Sequence, residues 1–220
     1  AFTKAMLHFD GTNGSTTFTD VNAATISNTW TAAGAQALTT SNFKFGTASL
    51  NQGVTTGGIS TPAKSAFDVG TGDFTIDFWW NNNGSADGHW AALAGYGNSS
   101  VNNASWSWVV ERHNTGILYF SISSGSSVSF AGGTTNLNTG NIWHHIAIVR
   151  SSGVVRGYVD GAQELTFSFA SSSPASTGPL RIHAGVSNSG VQNSLIDEFR
   201  YSVGVARWTS NFTPPNQPYT

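Results

Sequence analysis

Aromatic side chains beside two polar loops are the residues of this sequence best suited to chemistry. Several Trp residues and one Tyr flank loops rich in Asn, Ser and Gly. The flat face of such a ring packs against C–H groups of a sugar, while amides and charged groups fix the hydroxyls. We therefore predict a carbohydrate-binding site with these candidates: Trp79, Trp90, Tyr96, Asn98, Asn102, Asn103, Trp106, Glu111, Arg112 and His113. Core packing is the alternative for each Trp, and we assign it to Trp80, Trp143 and one of Trp106 and Trp108.

Acidic residues near the two ends of the chain suggest a metal site. In the segment LIDEFRY, Asp197 shares a strand face with Leu195 and Phe199. If that face is the core, the buried carboxylate needs a partner. One partner is Ca²⁺, which takes hard oxygen ligands, with Asp10, carbonyls near it and, more weakly, Asp20 as further ligands. The alternative is that Asp197 accepts hydrogen bonds from backbone N–H groups or from a nearby His or Arg.

Catalytic arrangements find little support. A glycosidase needs two carboxyl groups about 5–9.5 Å apart, but Asp73 and Asp77 are four strand positions apart, about 13 Å. The neighbours Arg112 and His113 point to opposite faces of a strand. The same holds for His144 and His145, so they cannot bind one ion, and we expect His145 to be a buried ring. We predict that the protein is not an enzyme.

The element that organises this sequence is the segment from Asp73 to Asn83. Phe74, Ile76, Phe78 and Trp80 alternate with Thr75, Asp77 and Trp79, which predicts a strand with one apolar face. Such a strand belongs to an antiparallel sheet that packs on a second layer. We expect its polar face, with Trp79 exposed, to carry function.

Short alternating segments separated by turns follow along the whole chain. They predict strands at Lys4–Asp10, Thr25–Thr31, Ala35–Thr39, His89–Tyr96, Ser105–His113, Ile117–Ile122, Ser127–Phe130, Trp143–Arg150, Val154–Val159, Glu164–Phe169, Leu180–Ala184 and Leu195–Tyr201. The segment Lys44–Asn51 is predicted to be a turn at Gly46 followed by a further strand. This density of strands and turns is typical of a β-sandwich or jelly roll. We predict one all-β domain over residues 1–220, ending in a Pro-rich extended tail over residues 210–220.

Composition narrows the classes of partner. Only 9% of the 220 residues are charged, and the net charge of −2 with scattered basic residues argues against nucleic-acid binding. No apolar run of membrane-spanning length is present. Cys is absent, which excludes disulfides and thiol catalysis.

Three ordered segments resemble the laminin-G-like branch of the concanavalin A-like jelly rolls. They are GTGDFTIDFWW (Gly70–Trp80), WHHIAIVRSSGVVRGYVDGAQ (Trp143–Gln163) and LIDEFRYSVGVARWTSNFTPP (Leu195–Pro215). The resemblance implies a two-sheet antiparallel β-sandwich, and a bound calcium ion is common among such modules. Glucanases of this fold carry an E-x-D-x-E run, which this sequence lacks. The fold alone does not decide function, because it hosts lectins, adhesion modules and lyases.

The segment VARWTSNFTPP also resembles modules of bacteriophage virion proteins and bacterial surface proteins. Together with the aromatic residues, it leads us to expect an extracellular, lectin-like module that attaches a phage virion or a bacterial surface to glycans. The alternatives are a structural virion decoration or fibre protein that binds capsid, tail or a second copy of itself and, behind it, a polysaccharide lyase or glycosidase.

Overall fold

Short β-strands dominate the chain in the computed structural model, which describes residues 1–53, 57–84, 90–98, 106–184 and 193–220. A short α-helix, α1 (Ala23–Ile26), and a 3₁₀ helix (Ser65–Phe67) are also present. The described residues contain no helix that is long and apolar enough to span a membrane. The strands are β1 (Thr3–Leu7), β2 (Thr31–Ala32), β3 (Ala37–Thr39), β4 (Ser49–Asn51), β5 (Ile59–Thr61), β6 (Phe74–Asn81), β7 (Ala91–Gly97), β8 (Trp106–Arg112), β9 (Leu118–Ser123), β10 (Val128–Gly132), β11 (Trp143–Ser151), β12 (Val154–Val159), β13 (Ala162–Ser168), β14 (Leu180–Ile182) and β15 (Leu195–Val203).

These strands form two antiparallel sheets. The eight-stranded sheet has the order β13-β12-β11-β6-β15-β4-β3, with β1 paired to β15, and the seven-stranded sheet has the order β10-β9-β8-β7-β14-β5-β2. The prediction of a two-sheet β-sandwich is therefore confirmed. The organising segment became β6, a central strand between β11 and β15.

The core lies between the inner faces of the sheets. Phe74, Ile76, Phe78 and Trp80 of β6 are fully buried there. Facing rings of the seven-stranded sheet, such as Phe120, complete the same cluster. Burying four such side chains removes several hundred square ångströms of apolar surface from water, at about 25 cal/mol per Å². This burial fixes the register of β6, because a slip by one residue would move all four to the other face.

The predicted strand at Thr25–Thr31 is wrong. The chain instead turns through α1, and the carboxylate of Asp20 organises this turn. Asp20 accepts hydrogen bonds from the backbone N–H of Asn22 (2.8 Å), from the Asn28 amide (2.7 Å) and from the Trp30 indole (3.1 Å). A carboxylate that collects local donors competes with strand pairing, so only β2 remains extended.

A β-bulge in β15 changes which residues face the core. The pairing with β6 shifts register between Asp197 and Arg200, and Glu198 adopts a left-handed φ of +52°. The extra residue puts Ile196 and Phe199 in the core cluster. The expectation that Asp197 shares the core face of Phe199 is therefore wrong: Asp197 is opposite Trp79, on the outer face of the sheet.

The C-terminal segment covers the outer face of the eight-stranded sheet. The rings of Trp208 and Phe212 stack at 4.0 Å and both contact the His145 ring edge-on. Tyr219 is 4% exposed, and its hydroxyl lies 3.0 Å from Nε2 of His145. The segment lies so close that a Cβ on Gly161 would meet the Phe212 carbonyl oxygen.

This covering overturns the expectation that the polar face of β6 is open. All eight residues of β6 are buried. Trp79, predicted to be exposed, lies beneath the Phe45 ring (5.9 Å between centroids) and the Lys44 ammonium group (3.9 Å from the ring centroid). Alternation alone shows two faces but does not show which later segment will cover one of them.

Candidate functional site

Four rings form a continuous aromatic cluster, which consists of Trp90, His113, Tyr119 and Phe130. The centroid of the Trp90 ring lies 4.2 Å from that of His113 and 5.1 Å from that of Tyr119, and both contacts are edge-to-face. Tyr119 in turn stacks on His113 at 5.8 Å and on Phe130 at 5.6 Å. Phe130 is 59% exposed. The cluster is therefore a surface formed by flat rings, with Phe130 as its open end.

Neighbouring strands of the seven-stranded sheet bring these rings together. Trp90 precedes β7, His113 follows β8, Tyr119 lies in β9 and Phe130 lies in β10. Tyr119 points outward because its neighbours Leu118 and Phe120 are both in the core. Gly132 pairs with Tyr119 across the strands, and a Cβ there would lie 3.1 Å from the Tyr119 ring.

Polar groups border the aromatic cluster. Glu111 pairs with Tyr119 in the adjacent strand. Burial raises the pKa of Glu111 to about 7, and burial together with the charge of Glu111 raises the pKa of Tyr119. His113 Nδ1 accepts a hydrogen bond from the Thr115 backbone N–H at 3.2 Å. The neutral imidazole therefore carries its proton on Nε2, which is a donor.

Three predicted sugar-site residues, Trp90, Glu111 and His113, thus meet in one place. Tyr119 and Phe130 complete the cluster and were not predicted. The signal that could have found them is the alternation within β9 and β10, where each ring sits opposite the core positions.

Two other predicted sugar-site aromatics, Tyr96 and Trp106, are buried. Tyr96 is fully buried, and its hydroxyl donates to Asp68 at 3.0 Å. Of the pair Trp106 and Trp108, one of which was assigned to the core, Trp108 is the core residue, and its Nε1 donates to the Tyr201 hydroxyl. Trp106, 8% exposed, packs in a small apolar cluster that is separate from the core.

The remaining candidates lie apart from the aromatic cluster or outside the described residues. Arg112 is fully buried, and its Nη1 donates to Asn138 at 2.9 Å. Asn98 donates to the Thr177 hydroxyl near the start of β14. Asn102 and Asn103 lie outside the described residues.

The candidate calcium ligands each bond to groups of the protein. Asp197 accepts three backbone N–H groups, from Lys44 (2.8 Å), Phe45 (3.0 Å) and Glu198 (2.9 Å). Burial raises the pKa of Asp197 to about 8, and these donors oppose that increase. Asp10 accepts the Thr47 hydroxyl at 3.0 Å, and Asp20 is engaged as described above.

Within the part of the chain that the structure describes, no three His, Asp or Glu side chains gather in a way that could hold a metal ion. Calcium binding by Asp10, Asp20 and Asp197 stays a prediction.

A buried charged network lies under the C-terminal segment. The Arg200 guanidinium makes two hydrogen bonds to the Asp77 carboxylate, at 2.8 and 3.1 Å, and its Cζ lies 4.1 Å from the centroid of the Tyr219 ring. Burial opposes ionisation of Asp77, but His145, 3.8 Å away, and Arg200 together lower its pKa. Glu198 bonds to His8 at 2.9 Å and accepts the Tyr219 backbone N–H at 2.8 Å. The network fixes the chain end on the sheet.

The sequence of the chain matches a known protein family. A laminin-G-type family model, described as the concanavalin A-like lectin/glucanases superfamily, matches residues 51–205. The chain belongs to this family. The predicted resemblance is confirmed, and the matched range runs from β4 to just beyond β15. A search of curated proteins gave no match.

Solved structures with the same fold are binding domains of clostridial toxins. The binding domain of Paraclostridial Mosquitocidal Protein 1 superposes with a TM-score of 0.69 at 15% identity, over 93% of this chain and 49% of that one. The Botulinum neurotoxin DC binding domain in complex with rat synaptotagmin II gives 0.67 at 15% identity, over 92% and 48%. The Botulinum neurotoxin serotype D domain in complex with N-acetylneuraminic acid gives 0.66 at 12% identity, over 93% and 48%. The chain thus spans about half of these structures, and the likeness concerns the fold.

Proposed function

We propose that this protein is a non-catalytic carbohydrate-binding module and that the aromatic cluster is its sugar platform. The observation that carries the proposal is the contiguity of four rings on one outer face, ending in the exposed Phe130. A pyranose ring presents a similarly flat apolar face, and stacking removes both from water. Glu111 and His113 supply an acceptor and a donor beside the rings for the sugar hydroxyls.

A binding role agrees with the make-up of the cluster better than hydrolysis does. A glycosidase positions two carboxyl groups across the scissile bond, whereas among the described residues we find one carboxyl group, that of Glu111, paired beside the cluster. The family includes lectins as well as glucanases. The titles of the neighbouring toxin structures name a sugar for one and a protein receptor for another, which is further support for recognition as the role of this fold.

We further propose that the glycan belongs to a surface outside the cell, with the module on a phage virion or a bacterial exterior. The support is the resemblance of VARWTSNFTPP (Val205–Pro215) to modules of such proteins. A few charged residues and a polar exterior of Ser, Thr, Asn and Gly suit a surface that meets hydrated polysaccharide.

Exposed Phe130 also supports the second candidate, a decoration or fibre protein, because protein interfaces use aromatic anchors too. In that case the rings would be covered by capsid, tail or a second copy, over about 800 Å² on each partner.

A glycan array that includes bacterial surface polysaccharides tests the proposal. Phe130→Ala should weaken binding about five- to twelvefold, the equivalent of one lost aromatic stacking contact of about 1–1.5 kcal/mol. Phe2→Ala is the matched control, because Phe2 is also 59% exposed but directly precedes β1, a strand of the other sheet. We expect Phe2→Ala to leave binding unchanged.

Running the array in calcium and again in EDTA distinguishes binding that depends on calcium from binding through the aromatic cluster alone. The aromatic cluster predicts binding that EDTA leaves intact, whereas loss of binding in EDTA would support the calcium prediction. No binding to any glycan, together with a concentration-dependent increase in molecular mass by ultracentrifugation, would favour the decoration protein. Shortened glycans after incubation would show an enzyme.

A further inference from the structure

An open, polar groove lies on the opposite side of the sandwich from the aromatic cluster. It runs between the β12–β13 hairpin and the C-terminal segment, with a volume of about 830 Å³. Its lining consists of polar side chains: Arg156, Gln163, Thr166, Thr209, Ser210 and Asn211. Arg156 points outward, because its neighbour Val155 is in the core cluster.

Both walls of the groove are held in place by the protein itself. The Phe212 backbone N–H donates to the Gly161 carbonyl at 3.0 Å, and the Gln163 backbone N–H donates to Oδ1 of Asn211 at 3.0 Å. The Phe212 ring also packs on Tyr158 at 5.3 Å. A ligand would thus meet a formed groove and lose little entropy in ordering it.

The charge in the groove is not neutralised. Among the described residues, the Arg156 guanidinium has neither a hydrogen bond nor an ion pair, and none of the six lining side chains is acidic. The two carboxylates of the hairpin bond elsewhere. Asp160 bonds to His144 at 2.7 Å, and Glu164 bonds to Thr134 and Thr135. The charge of Arg156 reaches Tyr158 beneath it, where it opposes the effect of burial on the Tyr158 pKa.

We propose that this groove binds an anionic sugar residue. A carboxylate or a sulfate would accept charge-assisted hydrogen bonds from the Arg156 fork. The hydroxyls of Thr209 and Ser210 and the amide of Gln163 would bond the ring hydroxyls. The groove has no exposed aromatic ring among its lining residues, so charge, not stacking, selects the ligand. The site is independent of the aromatic cluster.

Titration of ¹⁵N-labelled protein with three trisaccharides tests this proposal. The probes are trigalacturonate, its 6-sulfated counterpart in which sulfate replaces each carboxyl group, and the neutral carboxyl-reduced trisaccharide. We expect the backbone amide signals of Gln163 and Asn211 to shift with one or both charged probes. The neutral probe should bind about tenfold more weakly or worse, because it lacks the partner of a charge-assisted bond.

Variants separate this groove from the aromatic cluster and from net charge. Arg156→Gln should abolish the shifts. Lys4→Gln removes the same charge from β1, where the ammonium donates to the Ala1 carbonyl, and it should preserve the shifts. Trp90→Ala should preserve them too. Equal binding of the neutral probe, binding retained by Arg156→Gln, or no shift with either charged probe would overturn the proposal. If Phe130→Ala left binding on the glycan array unchanged, the sugar platform would be contradicted but this proposal would stand, because Phe130 does not line the groove.

Discussion

Replacing Arg200 with Met would leave the carboxylate of Asp77 buried without its cation. Asp77 is fully buried, and Arg200 donates two hydrogen bonds to its carboxylate, at 2.8 and 3.1 Å. Removing one partner of a buried ion pair costs about 3–5 kcal/mol. In a domain of this size, each kcal/mol lowers Tm by about 2–4 °C. We therefore expect Arg200→Met to lower Tm by about 6–20 °C.

The dependence on pH follows from the direction of the Asp77 shift. Its pKa is lowered in the folded protein, so its stabilisation is present above the unfolded value of about 3.9 and is lost as the pH falls below it. Without Arg200, the buried Asp77 side chain lowers the unfolding free energy most when it is charged. The difference in unfolding free energy between the wild type and Arg200→Met should therefore narrow from pH 7 to pH 4.

Urea denaturation followed by Trp fluorescence measures these differences. The double variant Asp77→Leu with Arg200→Met removes both charges and should recover most of the loss, since an apolar pair of similar volume needs no compensation. If Arg200→Met lost less than about 1 kcal/mol, or if the double variant lost as much as the sum of the single ones, the reasoning about this network would be refuted.

Two further predictions concern buried titratable groups. Burial lowers the pKa of His183 to about 3, so the unfolded chain binds its proton first and stability should fall as the pH drops below about 6.5. In His183→Gln, the unfolding free energy measured by urea denaturation should change less between pH 4.5 and pH 6.5 than it does in the wild type. The same pH dependence in both proteins would contradict this. Asp197→Ala should cost about 2–4 kcal/mol, because three backbone N–H groups lose their acceptor. Asp10→Ala, which removes a carboxylate from an exposed loop, is the control for Asp197→Ala in thermal melting. If both variants lowered Tm equally, the three backbone hydrogen bonds would not explain the loss in Asp197→Ala.

Alternation in the sequence predicted the sheets and much of the core. All seven predicted core side chains are buried: Phe74, Ile76, Phe78, Ile146, Ile148, Leu195 and Phe199. The bulge at Glu198 was not predictable, because alternation assumes an uninterrupted register and one extra residue reverses every later face. Ile196 consequently takes the place in the core cluster that was expected for Leu195.

Only part of the candidate sugar site was predicted from the sequence, because local patterns do not show how distant segments come together. Trp90, Glu111 and His113 lie next to one another because β7 and β8 are adjacent in both sequence and sheet. Trp79 was placed with them although it belongs to the other sheet, beneath Lys44. Local pattern tells which residues share a strand face; it does not tell which face a distant segment of the chain will cover.

The position of β15 has a consequence for how the chain acquires its fold. Asp77 and Arg200 are 123 residues apart in sequence, yet they form one ion pair across two adjacent strands. During synthesis, β6 can pair with β11 long before β15 leaves the ribosome, and until then one edge of the central strand has no partner. Closing so long a loop is slow, because its entropy cost precedes the contacts that repay it. An unpaired apolar strand edge is also a site of aggregation, so the interval before β15 emerges is when the nascent chain is most vulnerable to misassembly.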